Sequence, residues 1–276
     1  MDDSGNTARS RLLTDQIQRV LDEGGIAALA TIIEGSANVS AKLLVEPSGP
    51  STGSLGDAAL DDAVVRYATP FLESREEAKT FRISEFAPEL PLWSATRVLF
   101  ERIHPEPRLV ICGAGHVGAS LAKLASFVGY QATLVDDRPE LVTREHFPEQ
   151  RIELVSAASW AGAVIEAIGN GHGVSVAIVT RGHNEDEECL RAVMKTSPDY
   201  IGLIGSKRRT NIVLDRLRET GAEAQQLSKV RAPIGLDIGA VTPEEVALSI
   251  LAEIIAERRG GKGGSLSAWR RGNKSV

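Results

Sequence analysis

The residues best suited to chemistry in this sequence are three glycines that follow an apolar run. Gly113, Gly115 and Gly118 form a G-x-G-x-x-G pattern directly after residues 109–112. Glycines at this spacing allow a tight turn, let a phosphate approach the backbone, and let a helix pack on a strand, while the free N–H groups of that helix attract an anion. The pattern therefore predicts a nucleotide or phosphate site. Glycines that serve packing alone, beside a vestigial pocket, are the alternative.

Acidic and basic residues follow the next apolar run. Asp136 lies 21 residues after Gly115, and Asp137 and Arg138 come directly after it. A carboxylate at this distance suits a ribose hydroxyl, whereas an arginine nearby accepts a 2′-phosphate, so NAD and NADP both remain open. His116, inside the glycine pattern, is a candidate for acid–base chemistry or for a hydrogen bond to its own helix terminus.

A second polar group follows a later apolar run, at residues 180–188. His183 and Asp186 are suited to binding a metal or sharing a proton, but two such residues fall short of a coordination set, and we predict no metal site. The alternative is structural, because Asn184 is able to cap a helix, with Glu187 completing the cap. For His183 both interpretations stay open.

Two further segments carry polar residues at strand ends. Gly205, Ser206, Lys207 and Arg208 open a helix after residues 201–204 and suit a phosphate, a sulfate or an anionic pterin group, with a solvated basic turn as the alternative. The Gly- and Pro-rich loop at 231–241, with Arg231 and Asp237, is a candidate functional loop before a helix that starts at Thr242-Pro243.

The elements that must position these residues alternate between strands and helices. Strands are predicted at 108–112, 132–135, 152–155, 175–180 and 201–204. Strands that alternate with helices in this way indicate a parallel sheet covered on both faces, an α/β Rossmann-like domain. We place this domain at 105–257, after two prolines that interrupt the pattern, and a basic, Gly-rich, disordered tail at 258–276.

The first part of the chain, 1–104, predicts a small α+β domain. It contains helices at 9–23 and from 57 to about 67, strands at 26–33, 41–45, 80–86 and 97–102, and a loop at 46–56.

Composition excludes several classes of protein. The 276 residues are 42% hydrophobic and 25% charged, which is ordinary for a globular chain. The net charge is −6, and because six basic residues and no acidic ones lie from Arg258 onward, residues 1–257 carry −12. An acidic body argues against nucleic-acid binding. No apolar run approaches the roughly 20 residues of a membrane span, and no secretion signal opens the sequence. With two cysteines, we expect a reduced, cytoplasmic protein.

Long blocks of this sequence resemble the bacterial XdhC/CoxI family of xanthine dehydrogenase accessory proteins. The blocks are GAGHVG at 113–118, VDDRPE at 135–140, TRGHNEDEECL at 180–190, YIGLIGSKRR at 200–209 and RAPIGLDIGAVTPEEVALSILAEI at 231–254. Shorter stretches at 30–36, 41–45 and 53–56 are similar to the N-terminal domain of that family. One departure is clear, since residues 56–61 lack the cysteine of the family's Gly-Gly-Cys-x-Glu stretch, which puts a thiol role there in doubt.

The resemblance implies a chaperone that binds molybdenum cofactor (molybdopterin) and delivers it to an apo molybdenum hydroxylase, with a cysteine desulfurase as a second partner and a homodimer as its state. The residues expected to bind the cofactor are Gly113, Gly115, His116, Gly118, Asp136, Asp137, Arg138, His183, Gly205, Ser206, Lys207 and Arg208. No complete catalytic set is visible, so whether the chain is an enzyme stays open. An NAD(P)-dependent oxidoreductase and a catalytically silent scaffold are the competing hypotheses.

Overall fold

A computed structural model describes residues 3–267 apart from Ser48 and Arg75. Contacts divide the chain into two compact units, Met1–Pro105 and Glu106–Val276. Among the helices of the described part, none combines the length and apolarity needed to cross a bilayer.

The first unit is an antiparallel sheet with helices. Its elements are α1 (Asp3–Asp22), β1 (Ala27–Glu34), β2 (Lys42–Val45), β3 (Thr52–Ser54), α2 (Ala58–Glu73), β4 (Ala78–Arg82), α3 (Ile83–Phe86) and β5 (Arg97–Ile103). The strands pair in the order β3-β2-β1-β5-β4. Helix α2 begins because the side chain of Asp57 accepts a hydrogen bond from the N–H of Leu60 at 2.9 Å. Its buried side packs with Ile32 and Phe100 in one apolar core.

The sequence prediction for this unit is wrong in four places, the first of which is helix α1, which begins at Asp3, six residues before its predicted start. Strand β3 lies inside the predicted loop 46–56. Residues 83–86, predicted as strand, form α3, because the Glu85 carboxylate accepts the N–H of Arg82 at 3.1 Å and Ala87 N–H bonds to Ile83 at 2.8 Å. Helix α2 runs six residues beyond its predicted end, since Phe71 and Leu72 extend its buried face.

The second unit is a six-stranded parallel sheet. Its elements are β6 (Arg108–Cys112), α4 (His116–Phe127), β7 (Gln131–Asp136), β8 (Ile152–Ser156), α5 (Trp160–Ile168), β9 (Val174–Ile178), α6 (His183–Val193), β10 (Tyr200–Leu203), α7 (Lys207–Glu219), α8 (Ala224–Leu227), β11 (Val230–Arg231) and α9 (Pro243–Arg259). The order is β11-β10-β9-β6-β7-β8. Alternate residues of β6 enter two separate cores: Val110 packs with α5 and α6 residues, and Ile111 packs with α4 and α9 residues. The predicted fold class, an α/β Rossmann-like sheet after a small α+β unit, is confirmed.

Smaller differences concern the ends of elements. β9 ends at Ile178, so residues 179–180 lie in the following loop, and the two-residue strand β11 has no counterpart in the sequence prediction. Arg258 and Arg259, expected in the tail, belong to α9, which ends on Gly260 with a left-handed φ of 63°. Residues 268–276 of the predicted tail lie outside the described residues.

Candidate functional site

The strand order creates a crevice between β6 and β9. From β6 the chain builds outward through β7 to β8, returns to β9 beside β6, and then builds outward in the opposite direction. Ligands of open parallel sheets bind where the order reverses, outside the carboxyl ends of the strands. The predicted site residues follow β7, β6, β9 and β10, four adjacent strands, so the topology brings them all to this one edge.

Each glycine of the pattern between β6 and α4 has a different physical role. Gly113 has a left-handed φ of 118°, and a Cβ there would lie 2.6 Å from the carbonyl oxygen of Val179. A Cβ on Gly118 would lie 1.8 Å from the carbonyl oxygen of Gly113, so helix and turn approach as closely as backbone allows. Gly115 has an ordinary φ of −67°, and a Cβ there would meet no atom within 4 Å. Gly115 is the cap of α4, but neither a left-handed backbone nor packing requires a glycine there, so the position leaves room for a ligand.

Asp136, the last residue of β7, is buried and fully hydrogen-bonded. It accepts the N–H of Ala114 at 2.6 Å, the N–H of Arg138 at 3.0 Å, and the guanidinium of Arg138 at 2.9 and 3.0 Å. Although burial opposes ionisation, these hydrogen bonds outweigh it and hold the pKa of Asp136 below its ordinary value. Each carboxylate oxygen already accepts two hydrogen bonds, so no acceptor position remains for a ribose hydroxyl.

Asp137, the next residue, is bound by an arginine from the loop after β9. Nη1 and Nη2 of Arg181 lie 2.7 Å from the two carboxylate oxygens of Asp137. Nε of Arg181 also lies 3.3 Å from Glu185, in the first turn of α6. Arg181 was not among the predicted site residues, although it lies inside the block at 180–190, and the structure brings it to the same edge as them.

The two candidate histidines occupy equivalent positions. His116 is the first residue of α4 and His183 the first residue of α6, and both are exposed. The part of the chain that the structure describes shows no hydrogen bond to either ring. Helix α6 starts at His183 with Gly182 as its cap, so the predicted cap at Asn184 is wrong.

Asp186 does not join His183 as a metal or proton-sharing pair. It is completely buried, accepts the hydroxyl of Thr180, and is bound by Arg209 with Nε at 2.9 Å. Burial raises the pKa of Asp186 despite those hydrogen bonds. Within residues 3–267, apart from 48 and 75, no three His, Cys, Asp or Glu side chains converge in a group able to hold a metal ion.

The turn between β10 and α7 presents the remaining cations. Gly205 has a φ of 142°, and the hydroxyl of Ser206 caps α7 by accepting the N–H of Arg209 at 3.2 Å. Lys207 and Arg208 are exposed in the first turn of α7, and no ion pair to them is seen in the described part of the chain. Two cations at a positive helix terminus oppose the helix dipole, so their placement favours an anionic ligand.

The loop after β11 is bound to helix α9. Arg231 donates to both carboxylate oxygens of Glu257 at 2.9 and 3.0 Å, and the N–H of Gly235 donates to Glu253 at 2.7 Å. The hydroxyl of Tyr200 donates to Glu253 as well. These contacts give Arg231 a structural role, whereas Asp237 is exposed.

The cysteines offer no reactive thiol. Cys112 and Cys189 are both buried and free, and their side chains contact each other. The hydrogen bond to Cys112, together with burial, raises the pKa of the Cys189 thiol. In the segment that lacks the family cysteine, Asp61 instead accepts the N–H of Leu55 and the hydroxyl of Ser54, each at 2.7 Å.

Six parallel strands in this order, with a glycine turn at the crevice, define a Rossmann-type domain of the kind that binds nucleotide-like ligands. Residues 109–254 match the family described as XdhC Rossmann domain, and residues 20–84 match the family described as XdhC and CoxI family. The chain belongs to the XdhC/CoxI family.

Several known proteins are similar to this chain. Uncharacterized protein YqeB of Escherichia coli K12 is 30% identical over 244 residues, which are 86% of this chain and 44% of that protein. A probable xanthine dehydrogenase subunit of Bacillus subtilis is 33% identical over 59% of this chain and 47% of its own length. Molybdenum cofactor insertion chaperone PaoD of E. coli K12 is 27% identical over 56% of this chain and 41% of its own length. The chain thus spans less than half of each of these relatives.

A solved structure supports the fold. The match to the crystal structure of a xanthine dehydrogenase from Bacillus halodurans covers 96% of this chain and 70% of that chain. The TM-score is 0.66 and the sequence identity is 22%.

Proposed function

We propose that this chain is an accessory protein for the maturation of molybdenum hydroxylases and that it binds molybdenum cofactor at the carboxyl edge of the parallel sheet. Membership of the XdhC/CoxI family supports the proposal, as do relatives whose names are molybdenum cofactor insertion chaperone and probable xanthine dehydrogenase subunit. The observation that carries the binding step is Gly115, which leaves an open space at the N-terminus of α4.

The residues at this edge fit the phosphate group of such a cofactor. Gly115 is the cap of α4, and the N-terminus of a helix attracts an anion through its N–H groups, while Lys207 and Arg208 add positive charge at the N-terminus of α7. Three other residues expected to bind the cofactor, His116, His183 and Ser206, lie at the same edge of the sheet. Because residues 1–257 carry −12 overall, binding of an anion depends on these local groups rather than on the net charge.

An NAD(P)-dependent oxidoreductase is the second candidate, and the glycine turn favours it. Asp136 weighs against its NAD form, because all four acceptor positions of that carboxylate are used within the protein. A ribose diol would have to displace Arg138 or the N–H of Ala114, and displacing either costs a buried hydrogen bond to a charged group.

The partners follow from the same proposal. We propose an apo molybdenum hydroxylase as the recipient and a cysteine desulfurase as a source of sulfur for the cofactor, with a homodimer in the cytoplasm as the working form. Affinity purification from cells that express both enzymes tests the two partners, light scattering on the purified protein tests the homodimer, and fractionation of the cells tests the location.

The binding step is tested by offering the purified protein molybdenum cofactor released from a denatured molybdoenzyme. Retained molybdenum and pterin are measured after gel filtration, and NAD⁺ and NADP⁺ are titrated in parallel. We expect the wild-type protein to retain cofactor and Gly115→Val to lose it without loss of fold, since the new side chain fills the open space. Retention of NAD⁺ instead of cofactor would favour the oxidoreductase hypothesis over the proposed one. Failure of the wild-type protein to retain cofactor, together with unchanged hydroxylase activity in a gene deletion, would refute the proposal.

A further inference from the structure

The ion pair between Arg181 and Asp137 crosses the carboxyl end of β6. Asp137 follows β7 and Arg181 follows β9, and these are the two strands that flank β6 in the sheet. Neighbouring strands lie about 4.8 Å apart, so side chains from β7 and β9 meet only by passing over the end of the strand between them. That strand continues directly into Gly113 and Gly115. The pair therefore spans the mouth of the crevice in which the ligand is expected.

Three arginines at this edge are bound to carboxylates, but the burial of those carboxylates differs. Arg138 binds Asp136 and Arg209 binds Asp186, and these carboxylates are 1% and 0% exposed. Releasing either would leave a buried carboxylate without a partner for its charge, which is strongly unfavourable. Arg181 binds Asp137, which is 30% exposed, and Glu185, which is 23% exposed. Water is able to solvate these two carboxylates when they are released, so Arg181 is the arginine of the three that changes partner at least cost.

The geometry of the pair also suits a phosphate. Arg181 presents two parallel N–H donors at 2.7 Å to the two oxygens of Asp137. The same fork fits two oxygens of a phosphate dianion, which carries more charge than a carboxylate. Beside it, the N-terminus of α4 and the open space at Gly115 provide further donors and room for the group.

We propose that Arg181 binds the phosphate group of the ligand and that Asp137 occupies the same guanidinium when the ligand is absent. The ligand then has to displace Asp137, so Asp137 lowers the affinity of the site and selects for a doubly charged phosphate group. This inference rests on the proposed function for the location of the site. The shared chemistry is the phosphate group, whether it belongs to a pterin or to a nucleotide.

Inorganic phosphate is the probe that tests the competition, with binding followed by ³¹P NMR in a phosphate-free buffer. We expect Asp137→Asn to raise phosphate affinity about tenfold, as removal of the competing carboxylate predicts, and Arg181→Gln to lower it by about the same factor. Arg181→Lys, which keeps the charge without the fork, should fall between Arg181→Gln and wild type. Arg151→Gln is the matched control, because Arg151 is also 45% exposed and also ion-paired, to Glu106.

A double variant separates competition from a general change of charge. If Asp137 acts through Arg181, Asp137→Asn brings no gain in the Arg181→Gln background. A gain of equal size in both backgrounds, equal affinity in wild type and Asp137→Asn, or no phosphate binding by either protein would each overturn the inference. Retention of molybdenum cofactor by the wild-type protein tests the proposed function separately, and separate titrations with that cofactor and with NADP⁺ identify the source of the phosphate.

Discussion

The guanidinium of Arg209 binds the buried carboxylate of Asp186, so the first turn of α7 is held against the first turn of α6. Arg209 also donates to the carbonyl of Thr180 at 3.4 Å, in the loop after β9. One arginine thus joins two of the loops that form the candidate site. The remaining cations of that turn, Lys207 and Arg208, are exposed.

The first prediction concerns this contact. Asp186→Asn should lower the free energy of unfolding by about 1.5 kcal/mol, because it removes the charge-assisted hydrogen bonds to Arg209, whose side chain is 31% exposed and stays partly solvated. Urea unfolding measures the loss. Arg191→Gln, which removes an exposed i,i+4 pair with Glu187 on the same helix, should change stability by less than about 0.5 kcal/mol. Similar effects of both substitutions would contradict the structural role of Asp186.

The second prediction separates two glycines of one turn. Gly118→Ala should destabilise the protein by about 3 kcal/mol, since its Cβ would lie 1.8 Å from a backbone oxygen. Gly115→Ala should lower stability by less than about 1 kcal/mol, because its φ of −67° suits alanine and no atom lies near the new Cβ, so only the preference for glycine over alanine at a helix cap is lost. Thermal unfolding of both variants provides the comparison, and equal destabilisation would show that the space at Gly115 is not open.

The third prediction is a pH dependence at Asp136. Its folded pKa lies below the unfolded value of about 3.9, so between the two values the unfolded chain binds more protons. Its contribution to stability is therefore complete above about pH 4 and is lost as the pH falls through the folded value.

Comparison with a variant isolates this contribution from other carboxylates. We expect Asp136→Asn to be less stable than wild type by about 3 kcal/mol at pH 7, with the difference shrinking below pH 4. Urea unfolding at a series of pH values measures it, with Asp215→Asn, in an exposed ion pair with Arg218, as the control. A difference that stays constant down to pH 2 would show that the ionised carboxylate is not what stabilises the turn.

The fourth prediction is that one substitution raises stability and weakens ligand binding. Lys207→Glu places a negative charge in the first turn of α7, which should raise stability by about 0.3–1 kcal/mol. The same change should weaken binding of inorganic phosphate several-fold, because it removes a cation and adds an anion at the proposed site. Lys195→Glu is the control, because it changes the net charge equally but lies after the C-terminus of α6, whereas the proposed site lies at the N-termini of the helices. If both substitutions weaken binding alike, Lys207 has no local role.

Much of the second unit was predictable because its requirements are local. The close approach of Gly118 to the carbonyl of Gly113 and the cap at Thr242, which accepts the N–H of Glu245 at 3.3 Å, depend on residues within a few positions of each other. Such features leave a pattern in the sequence. The strand predicted at 80–86 shows the limit of this reasoning. A run of seven residues is too short to distinguish the helical period of 3.6 residues from the strand period of two, and the hydrogen bond made by Glu85 stabilises its second half as a helix.

The sequence by itself determined the fold class, the glycine turn and the set of polar residues that follow the strands. The tertiary structure decided which of these residues remain available to a ligand. Asp137 and Arg181 are 44 positions apart and pair because β7 and β9 flank β6 in the sheet. Asp186 and Arg209 are 23 positions apart and pair because α6 packs against α7. Pairing of charges depends on distances in space and on burial, and both arise only when the sheet is assembled. For that reason Asp136, expected to bind a ribose, is used within the protein, and Arg181, absent from the predicted site, lies at its mouth.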